Sequence, residues 1–385
     1  MKTVITAETL FTPLEEIRNP VVIIEDERIA AVASRAALEI PTQARHLDFP
    51  GQIIVPGLID VHIHGGSGYD VMQAGASALA SIEQGMVRHG VTSYLPTTVT
   101  ASWEQTLHSV DLLGQHIERP PAGHRSRALG IHLEGPFISH AKRGVHPPEH
   151  LLPPTPALLQ NLHDAARHTV RMMTLAPEVN GAVDTIRHAS GLGIRSSLGH
   201  SDADLATARA AVDAGALHAT HTFNAMRPLD HREPGILGLV LSDDRLTADL
   251  IADGIHVAPE VVKVFLASKG LQRSLLITDA ISATGMPNGQ YQLGNFQVHV
   301  KDGRCEYQGR LAGSVLTLDG AVRNVMQFAA LTLRHAIQLV TINPARLLGI
   351  AHERGAVVPG AVADLTILNP HSQVVGCMVA GTMEA

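Results

Sequence analysis

Six residues of types that bind metal ions stand at the ends of short apolar runs in this chain of 385 residues. Imidazole nitrogens and carboxylate oxygens without thiolates suit divalent ions such as zinc, iron, manganese or cobalt. Side chains alternate along a strand, so the two histidines of the first run would point to the same side and meet one ion, with Asp60 just before them orienting a ring. The six residues are His62, His64, Glu134, His200, His221 and Asp279.

Taken singly, these residues give weak support for a metal site. The chain contains 23 histidines, so an isolated His-x-His pair is more often a feature of the surface or the core than a pair of metal ligands. Glu134 could cap the turn at Gly135 and Pro136, and Asp279 could cap the segment that follows it. The joint pattern favours a metal, because several buried imidazoles and unpaired carboxylates would be costly without a shared ion.

The candidate ligands follow a series of apolar runs that alternate with segments of helical spacing, a pattern typical of βα units. Eight such units close a (β/α)8 barrel, whose strands have their carboxyl ends on the face that carries the active site. The sequence therefore predicts an α/β fold with a TIM-like barrel and the six ligands at its mouth. The predicted strands cover residues 58–64, 92–99, 128–135, 170–177, 194–200, 218–225, 247–256 and 274–281.

The two ends of the chain have a different pattern from its centre. Residues 1–55 and 355–385 alternate apolar and polar positions in short pieces separated by turn residues, as antiparallel strands do. Because chain ends often lie close together, we expect both to form one small β-sandwich domain. The barrel then takes residues 56–354, with a β-hairpin insertion near residues 287–310.

The composition argues against several classes of partner. The formal charge of -7 comes without a basic cluster, and only 3% of residues are aromatic. Neither nucleic acid nor a membrane is therefore an expected partner. The first residues contain Thr and Glu before an apolar signal region could form, which predicts a cytoplasmic protein. Cys305 and Cys377 lack a CxxC spacing, and we expect both to be free thiols.

Seven motifs carry a resemblance to a known family. VPGLIDVHIHGG, HLEGPF, LGHSDA, HATHTFNAM, REPGILG, DGIHV and TDAISATG are similar to the N-acetylglucosamine-6-phosphate deacetylases of the amidohydrolase superfamily. The resemblance covers about residues 50–350. It implies that the chain removes the acetyl group from an amino-sugar phosphate, with N-acetylglucosamine 6-phosphate as the expected substrate.

The resemblance also implies roles for the metal ligands. Glu134, His200 and His221 would hold the main ion, and the pair on the first strand could hold a second, with Glu134 bridging. We therefore expect one or two divalent ions per subunit, with zinc as first choice and iron, manganese or cobalt as alternatives. Such an ion activates water and polarises the acetamide carbonyl. Asp279 would act as general base and then general acid, and His146 would stabilise the oxyanion.

Further positions match substrate-contacting segments of that family. Arg232 would grip the 6-phosphate, in relatives partly across a dimer interface, so the resemblance implies a homodimer; alternatively, Arg232 forms a surface salt bridge with Glu233. Lys142 and Arg143 either attract an anion or form a solvated loop. The other expected substrate-binding residues are Val145, His146, Asn224, Ala225, Asp253, His256, Leu311, Ala312 and Gly313.

Three alternatives to this function remain. A deacetylase of N-acetylgalactosamine 6-phosphate differs in substrate at one ring carbon, and the sequence does not separate the two. Hydrolases of cyclic amides share the His-x-His pair but use a carboxylated Lys on the fourth strand, and the segment VRMMTLAPE contains no Lys. A sugar-phosphate-binding protein without catalytic activity would be expected to have lost Asp279 or the metal ligands, and this chain retains them.

Overall fold

The structure, a computed structural model, describes residues 2–13, 15–73, 75–119 and 123–383. The described residues form a sheet-rich domain built from both chain ends and a central barrel of alternating strands and helices. This is the predicted fold class. Among the helices of the described residues, none combines the length and the apolar character of a membrane span.

The strands are, in chain order, β1 (Lys2–Phe11), β2 (Glu16–Arg18), β3 (Pro20–Glu25), β4 (Arg28–Ser34), β5 (Arg45–Pro56), β6 (Leu58–Ile63), β7 (Gly65–Gly66), β8 (Tyr69–Asp70), β9 (Val91–Thr98), β10 (Arg127–Ala128), β11 (Ile131–Glu134), β12 (Val170–Leu175), β13 (Arg195–Leu198), β14 (His218–Ala219), β15 (Thr247–Ile251), β16 (Ser274–Ile277), β17 (Gly289–Leu293), β18 (Phe296–Lys301), β19 (Arg304–Tyr307), β20 (Arg310–Leu311), β21 (Leu365–Leu368) and β22 (Val374–Met378).

The helices are α1 (Ala76–Val87), α2 (Trp103–Glu118), α3 (Pro156–Ala165), α4 (Ala182–Gly191), α5 (Leu205–Asp213), α6 (Gly235–Ser242), α7 (Pro259–Lys269), α8 (Leu318–Ala329), α9 (Leu333–Gln338) and α10 (Ile342–Leu348). Several begin at a residue whose side chain accepts a hydrogen bond from the first turn, which satisfies a backbone N–H that has no partner within the helix. Ser102, Thr155 and Asp204 do this for α2, α3 and α5.

The small domain combines strands from both ends of the chain. Its sheet has the order β22-β21-β5-β1-β3-β4, and β2 pairs with β1. A bridge between Arg28 and Val362 links the edge strand β4 to the segment before β21, so the sheet folds over its own core. That core joins residues of the N-terminal strands, such as Ile5 and Ile54, to Leu365 of β21. The small sandwich made from both termini is confirmed.

The barrel contains the eight expected parallel strands, β6, β9 and β11–β16. Residues of β6 and β9 are buried throughout, as strands covered on both faces should be. The ring closes between the last and first strands: the backbone N–H of Asp279 donates to the His62 carbonyl at 3.0 Å, and that of His64 donates to the Ala280 carbonyl at 2.8 Å. The predicted (β/α)8 barrel is confirmed.

The sixth strand ends earlier than the sequence suggests. The expected strand ran to residue 225, but β14 covers only His218–Ala219. Beyond it, His221, Phe223 and Ala225 have φ angles of 32°, 81° and 50°. Left-handed backbone at alternate residues is incompatible with an extended strand, so this segment turns at the barrel mouth instead.

A four-stranded antiparallel sheet, β17–β20, lies between β16 and α8 where the hairpin insertion was expected. Its strands run from Gly289 to Leu311. Cys305 in β19 and Cys377 in β22 are buried and unpaired, in agreement with the prediction of free thiols.

Candidate active site

All six candidate ligands are buried together at the mouth of the barrel. His62 lies on β6, His64 directly follows it and Glu134 ends β11, whereas each of the others lies two residues beyond the end of β13, β14 or β16. These three, His200, His221 and Asp279, have φ angles of 47°, 32° and 50°. Left-handed backbone is uncommon and costly outside glycine, and it concentrates at functional sites. It ends each strand abruptly and holds the ligand at the carboxyl end.

Glu134 stands at the centre of the cluster and faces its two halves with different oxygens. Its Oε1 lies 3.2 Å from His200 Nε2 and 3.0 Å from His221 Nε2. Its Oε2 lies 3.1 Å from His64 Nε2 and 3.4 Å from His62 Nε2. This arrangement suits a carboxylate that bridges two ions.

Asp279 completes the half of the cluster formed by the first strand. Its Oδ1 lies 3.1 Å from His64 Nε2 and 3.5 Å from His62 Nε2. The two Nε2 atoms are themselves 3.1 Å apart. In the other half, the Nε2 atoms of His200 and His221 are likewise 3.1 Å apart. Each half therefore gathers imidazole nitrogens and a carboxylate oxygen around one point.

The ring orientations indicate that a cation belongs between these atoms. The Nδ1–H of His64 donates to the Thr97 carbonyl at 3.0 Å, and that of His200 donates to the Lys142 carbonyl at 2.9 Å. A carbonyl can only accept, so each neutral ring carries its proton on Nδ1 and turns the lone pair of Nε2 toward Glu134. That contact is repulsive unless the ring gains a second proton on Nε2 or a cation lies between the two atoms.

The electrostatics agree with two ionised carboxylates. Although burial favours the neutral acid, hydrogen bonds and the charges of the surrounding histidines hold the pKa of Glu134 well below its usual range. Burial again opposes ionisation of Asp279, but His64 and His62 lower its pKa to about 2. Burial lowers and the two carboxylates raise the pKa of His64, which ends well above its usual range.

The donor set fits divalent metal ions bound through nitrogen and oxygen. Within each of two groups of three residues, one ligand atom per residue lies within 4.8 Å of the other two. The groups are His62, His64 and Asp279, and Glu134, His200 and His221.

Asp60 has a different role from the one expected. Its Oδ1 accepts the backbone N–H of His62 at 3.2 Å, and its Oδ2 accepts the hydroxyl of Thr278 at 2.6 Å. It therefore links the backbone of the first strand to Thr278, the residue after the last strand, and among the described residues it forms no hydrogen bond to an imidazole ring. Burial raises the pKa of Asp60 to about 6, against the hydrogen bonds from Thr278.

His132 is a buried residue behind the cluster that the sequence analysis missed. Its ring packs edge-on against His62, with centroids 4.7 Å apart and an interplanar angle of 77°. Its Nδ1–H donates to the Val61 carbonyl at 3.1 Å, and its Nε2 accepts the hydroxyl of Thr174 at 2.7 Å. The alternation of side chains along a strand would have indicated this residue, because His132 lies two residues before Glu134 and therefore on the same face of the strand.

Glu178, in the loop after the fourth strand, is a second residue that the sequence analysis missed. It accepts the Ser201 hydroxyl at 2.8 Å and the backbone N–H of Asp202 at 2.6 Å. It thus holds the loop that carries His200. No sequence pattern indicates this contact, which joins separate loops.

His146 lies beside the cluster, with its Nε2 3.7 Å from Glu134 Oε2. The backbone N–H of Thr100 donates to its Nδ1 at 3.2 Å. Because Nδ1 is the acceptor, the proton of the neutral ring is on Nε2 and is directed toward the cluster. Burial lowers the pKa of His146 to about 3, so the ring is neutral. A neutral N–H donor of this kind suits a developing oxyanion.

A cavity of about 320 Å³ opens above the cluster. His256 lines it, and Asp253 supports His256 from behind by accepting a 2.7 Å hydrogen bond from its Nδ1–H. Arg232 is exposed and is not among the described residues that line it. Glu233 lies 4.0 Å from Arg227, and the expected alternative of an Arg232–Glu233 pair is not found among the described residues. The other expected substrate residues that line the cavity are Val145, His146, Asn224, Ala225, Leu311, Ala312 and Gly313.

A parallel barrel with buried imidazole and carboxylate ligands at its mouth defines a class of metal-dependent hydrolases. The family model described as "Amidohydrolase family" matches residues 53–383, and the chain belongs to this family.

Its relatives are narrower in activity. An N-acetylgalactosamine-6-phosphate deacetylase of Escherichia coli O157:H7 is 38% identical, with 89% of this chain and 90% of the relative covered. An N-acetylglucosamine-6-phosphate deacetylase of Bacillus subtilis is 35% identical over 97% of this chain and 95% of the relative. A Mycobacterium smegmatis N-acetyl-D-glucosamine-6-phosphate deacetylase, solved as a mutant in complex with N-acetyl-D-glucosamine 6-phosphate, is 35% identical with a TM-score of 0.93, covering 99% of both chains.

Proposed function

We propose that the chain hydrolyses the acetamide of N-acetyl-D-glucosamine 6-phosphate to D-glucosamine 6-phosphate and acetate. The observation that carries the proposal is the meeting of an ionised Asp279 and the Nε2–H of His146 at one metal-binding cluster. Amide hydrolysis needs both a proton carrier and an oxyanion donor, and these two residues supply them. The relatives named above give the substrate.

The cluster would hold one or two divalent ions. Glu134, His200 and His221 would bind the main ion, and His62 and His64 with Asp279 the second, with Glu134 shared. When bound, such an ion lowers the pKa of water and polarises the acetamide carbonyl. We propose zinc, with iron, manganese and cobalt also compatible with these ligands.

The protein's own groups then move the proton and hold the charge. Asp279 accepts the proton of the attacking water, and its low pKa keeps it ionised for this step. It passes the proton to the departing nitrogen, because an unprotonated amine anion is a very poor leaving group. His146 donates its Nε2–H to the oxyanion formed on the acetamide carbon.

The 6-phosphate would bind in the part of the cavity that is lined by His256, Asn224 and Ala225. His256, oriented by Asp253, and the backbone near Asn224 and Ala225 are within the described cavity or directly behind it. Arg232 would reach the phosphate of a neighbouring subunit, since it is exposed in its own chain. The proposal therefore includes a homodimer, and we place the enzyme in the cytoplasm.

The test is acetate release from N-acetylglucosamine 6-phosphate by chelator-treated protein before and after metal is restored. We expect activity to disappear with the metal and to return with it. Release that does not depend on metal would contradict the mechanism, and no release with any metal would contradict the substrate.

A second candidate substrate is N-acetylgalactosamine 6-phosphate. It is favoured by the relative of Escherichia coli O157:H7, which matches over 343 residues at 38% identity. Both sugars present the same acetamide and phosphate, so the cluster would act on either. Parallel kcat/KM measurements on the two epimers decide between them.

A further inference from the structure

A second groove opens from the catalytic cavity on the side of the hairpin insertion. It has a volume of about 520 Å³ and shares part of its lining with the cavity, including His146 and Arg310. One wall comes from residues 143–150, after β11, and the other from residues 295–310 of the hairpin sheet. This rim groove can receive a group attached to a sugar that occupies the catalytic cavity.

Two arginines with unbalanced charges line the rim groove. Arg143 Nη1 donates to the His140 carbonyl at 3.1 Å, and Arg310 Nη1 donates to the Gly144 carbonyl at 3.3 Å. In the described part of the chain, neither guanidinium forms an ion pair, and the one acid that lines the groove, Glu149, is exposed. Elsewhere in the described chain, several exposed arginines do pair with carboxylates, among them Arg167, Arg187, Arg245 and Arg304.

These arginines retain most of their hydrogen-bonding capacity. A guanidinium has five N–H donors in a planar fork, and only one donor atom of each is used here by a backbone carbonyl. The fork matches the geometry of a carboxylate or phosphate. Two such groups in one groove indicate recognition of an anion.

The order of the barrel strands places this anion away from the proposed phosphate position. The walls of the rim groove follow the third and eighth strands, β11 and β16, and therefore bracket the first two. Asn224 and Ala225 follow β14, the sixth strand, on the other side of the ring. A substrate that spans the mouth would have its phosphate at one end and the rim groove at the other.

Sugar geometry then identifies the substituent. Carbon 6 carries the phosphate and is attached to carbon 5, which lies across the pyranose ring from carbon 2. Carbon 2 carries the acetamide, which must reach the cluster. Groups on carbons 1 and 3 flank the acetamide on the edge far from the phosphate, and these groups can enter the rim groove.

We propose that the rim groove is a subsite for a second acidic group of the substrate, carried on ring carbon 1 or 3. The inference rests on the proposed function and widens its substrate class to N-acetylated amino-sugar 6-phosphates with a carboxylate-bearing substituent. Arg143 and Arg310 bind that carboxylate, and the reaction at the acetamide is unchanged.

Equilibrium binding to the metal-loaded Asp279→Asn protein tests the subsite without turnover. The probes are N-acetylglucosamine 6-phosphate with a carboxymethyl ether on carbon 3, its carbon 1 counterpart, and the methyl esters of both. Titration calorimetry should show at least one acid binding about tenfold more tightly than its own ester, as charge-assisted hydrogen bonds require.

Variants locate the effect. In the Asp279→Asn background, adding Arg143→Ala and Arg310→Ala together should bring the acid-to-ester ratio to about one. Arg304→Ala is the matched control, because this arginine is on the same hairpin sheet but already pairs with Glu306 at 3.1 Å. It should leave the ratio at the value of the Asp279→Asn protein. Melting temperatures verify that all the variants are folded.

Three results would overturn the subsite: equal affinities of the acids and their esters, an acid preference that survives loss of both arginines, or equal weakening of the unmodified sugar phosphate. The last would assign Arg310 or Arg143 to the 6-phosphate instead. A failure of the proposed function is seen separately, as absence of acetate release by the wild-type enzyme, while the binding ratio remains measurable.

Discussion

The metal cluster and the proposed phosphate contacts are held by different kinds of structure. Every candidate ligand is buried and is positioned by a strand end or by a hydrogen bond behind the ring, such as that from His64 Nδ1–H to the Thr97 carbonyl. Arg232 is exposed, and in its loop Asp230 accepts the backbone N–H of Arg232 at 2.8 Å. We therefore expect the chemistry to take place at the ends of the barrel strands and substrate binding to extend onto the loops.

This difference follows from what the cluster and the phosphate contacts must each do. A developing charge is stabilised only by groups already in position, because reorganisation during the reaction raises the barrier. A phosphate is bound in the ground state and can be gripped by a loop that orders on binding, or by a second subunit. We therefore expect large losses of activity or bound metal from changes at the cluster. Changes at the loop that carries Arg232 should cause smaller losses of activity that depend on the substrate.

The largest loss is expected from Asp279→Asn. Asparagine keeps the size and one oxygen but cannot accept the proton, so kcat should fall by about 10³ while the ion of Glu134, His200 and His221 is retained and substrate affinity stays close to wild type. Acetate release, metal analysis and calorimetry on the same preparation check this. An unchanged kcat would remove Asp279 from the proton transfer.

Substitutions in the cluster should differ in how much bound metal they remove. Glu134→Gln disturbs both halves, because the two oxygens of Glu134 face different histidine pairs. We expect it to lose all tightly bound metal, whereas His62→Asn should lose only the ion of the first-strand half. Metal content per subunit after dialysis measures both. An unchanged count in His62→Asn would mean that Glu134, His200 and His221 form the single metal site.

A weaker effect on metal affinity is expected from His132, which packs behind the cluster against His62. His132→Phe keeps the ring against His62 but loses the hydrogen bonds to Val61 and Thr174. Support of this kind typically changes metal affinity by 10- to 100-fold, and we expect about tenfold here, confined to the first-strand ion. Metal titration with a chelating indicator provides the measurement. His163→Phe, on α3, is the control. Equal weakening of both ions would contradict a role specific to His62.

The sequence predicted the rigid part of the molecule much better than its rim. The eight strands and their ligands could be found because residues such as Glu134 stand at the end of apolar runs, where barrel geometry gathers them. The partner of Asp60 could not be found, because Thr278 directly follows the last strand and the pair forms only when the ring closes. The end of β14 was misplaced because no local pattern announces the positive φ of His221.

At the rim, sequence reasoning had only the resemblance to guide it. It gave Asp253 a place in the substrate site, where the structure shows hydrogen bonds to His256 and its backbone. It passed over Arg310, because an arginine in a hairpin has no pattern that distinguishes a ligand from a solvated side chain. Only the fold shows that Arg310 shares its groove with the segment carrying His146.

The smallest expected effect concerns the loop that carries Arg232. Arg232→Ala should raise KM for N-acetylglucosamine 6-phosphate by about fivefold, a modest change because solvent screens an exposed arginine. KM for unphosphorylated N-acetylglucosamine and kcat for both should hardly change, since the cluster is untouched. Arg187→Ala, at an exposed arginine paired with Asp184 on α4, is the matched control. If both substrates were affected equally, Arg232 would act on the fold or the dimer and not on the phosphate. A selective rise in KM would place phosphate binding on a loop outside the barrel strands. That result would agree with chemistry at the buried cluster and phosphate binding on an exposed loop.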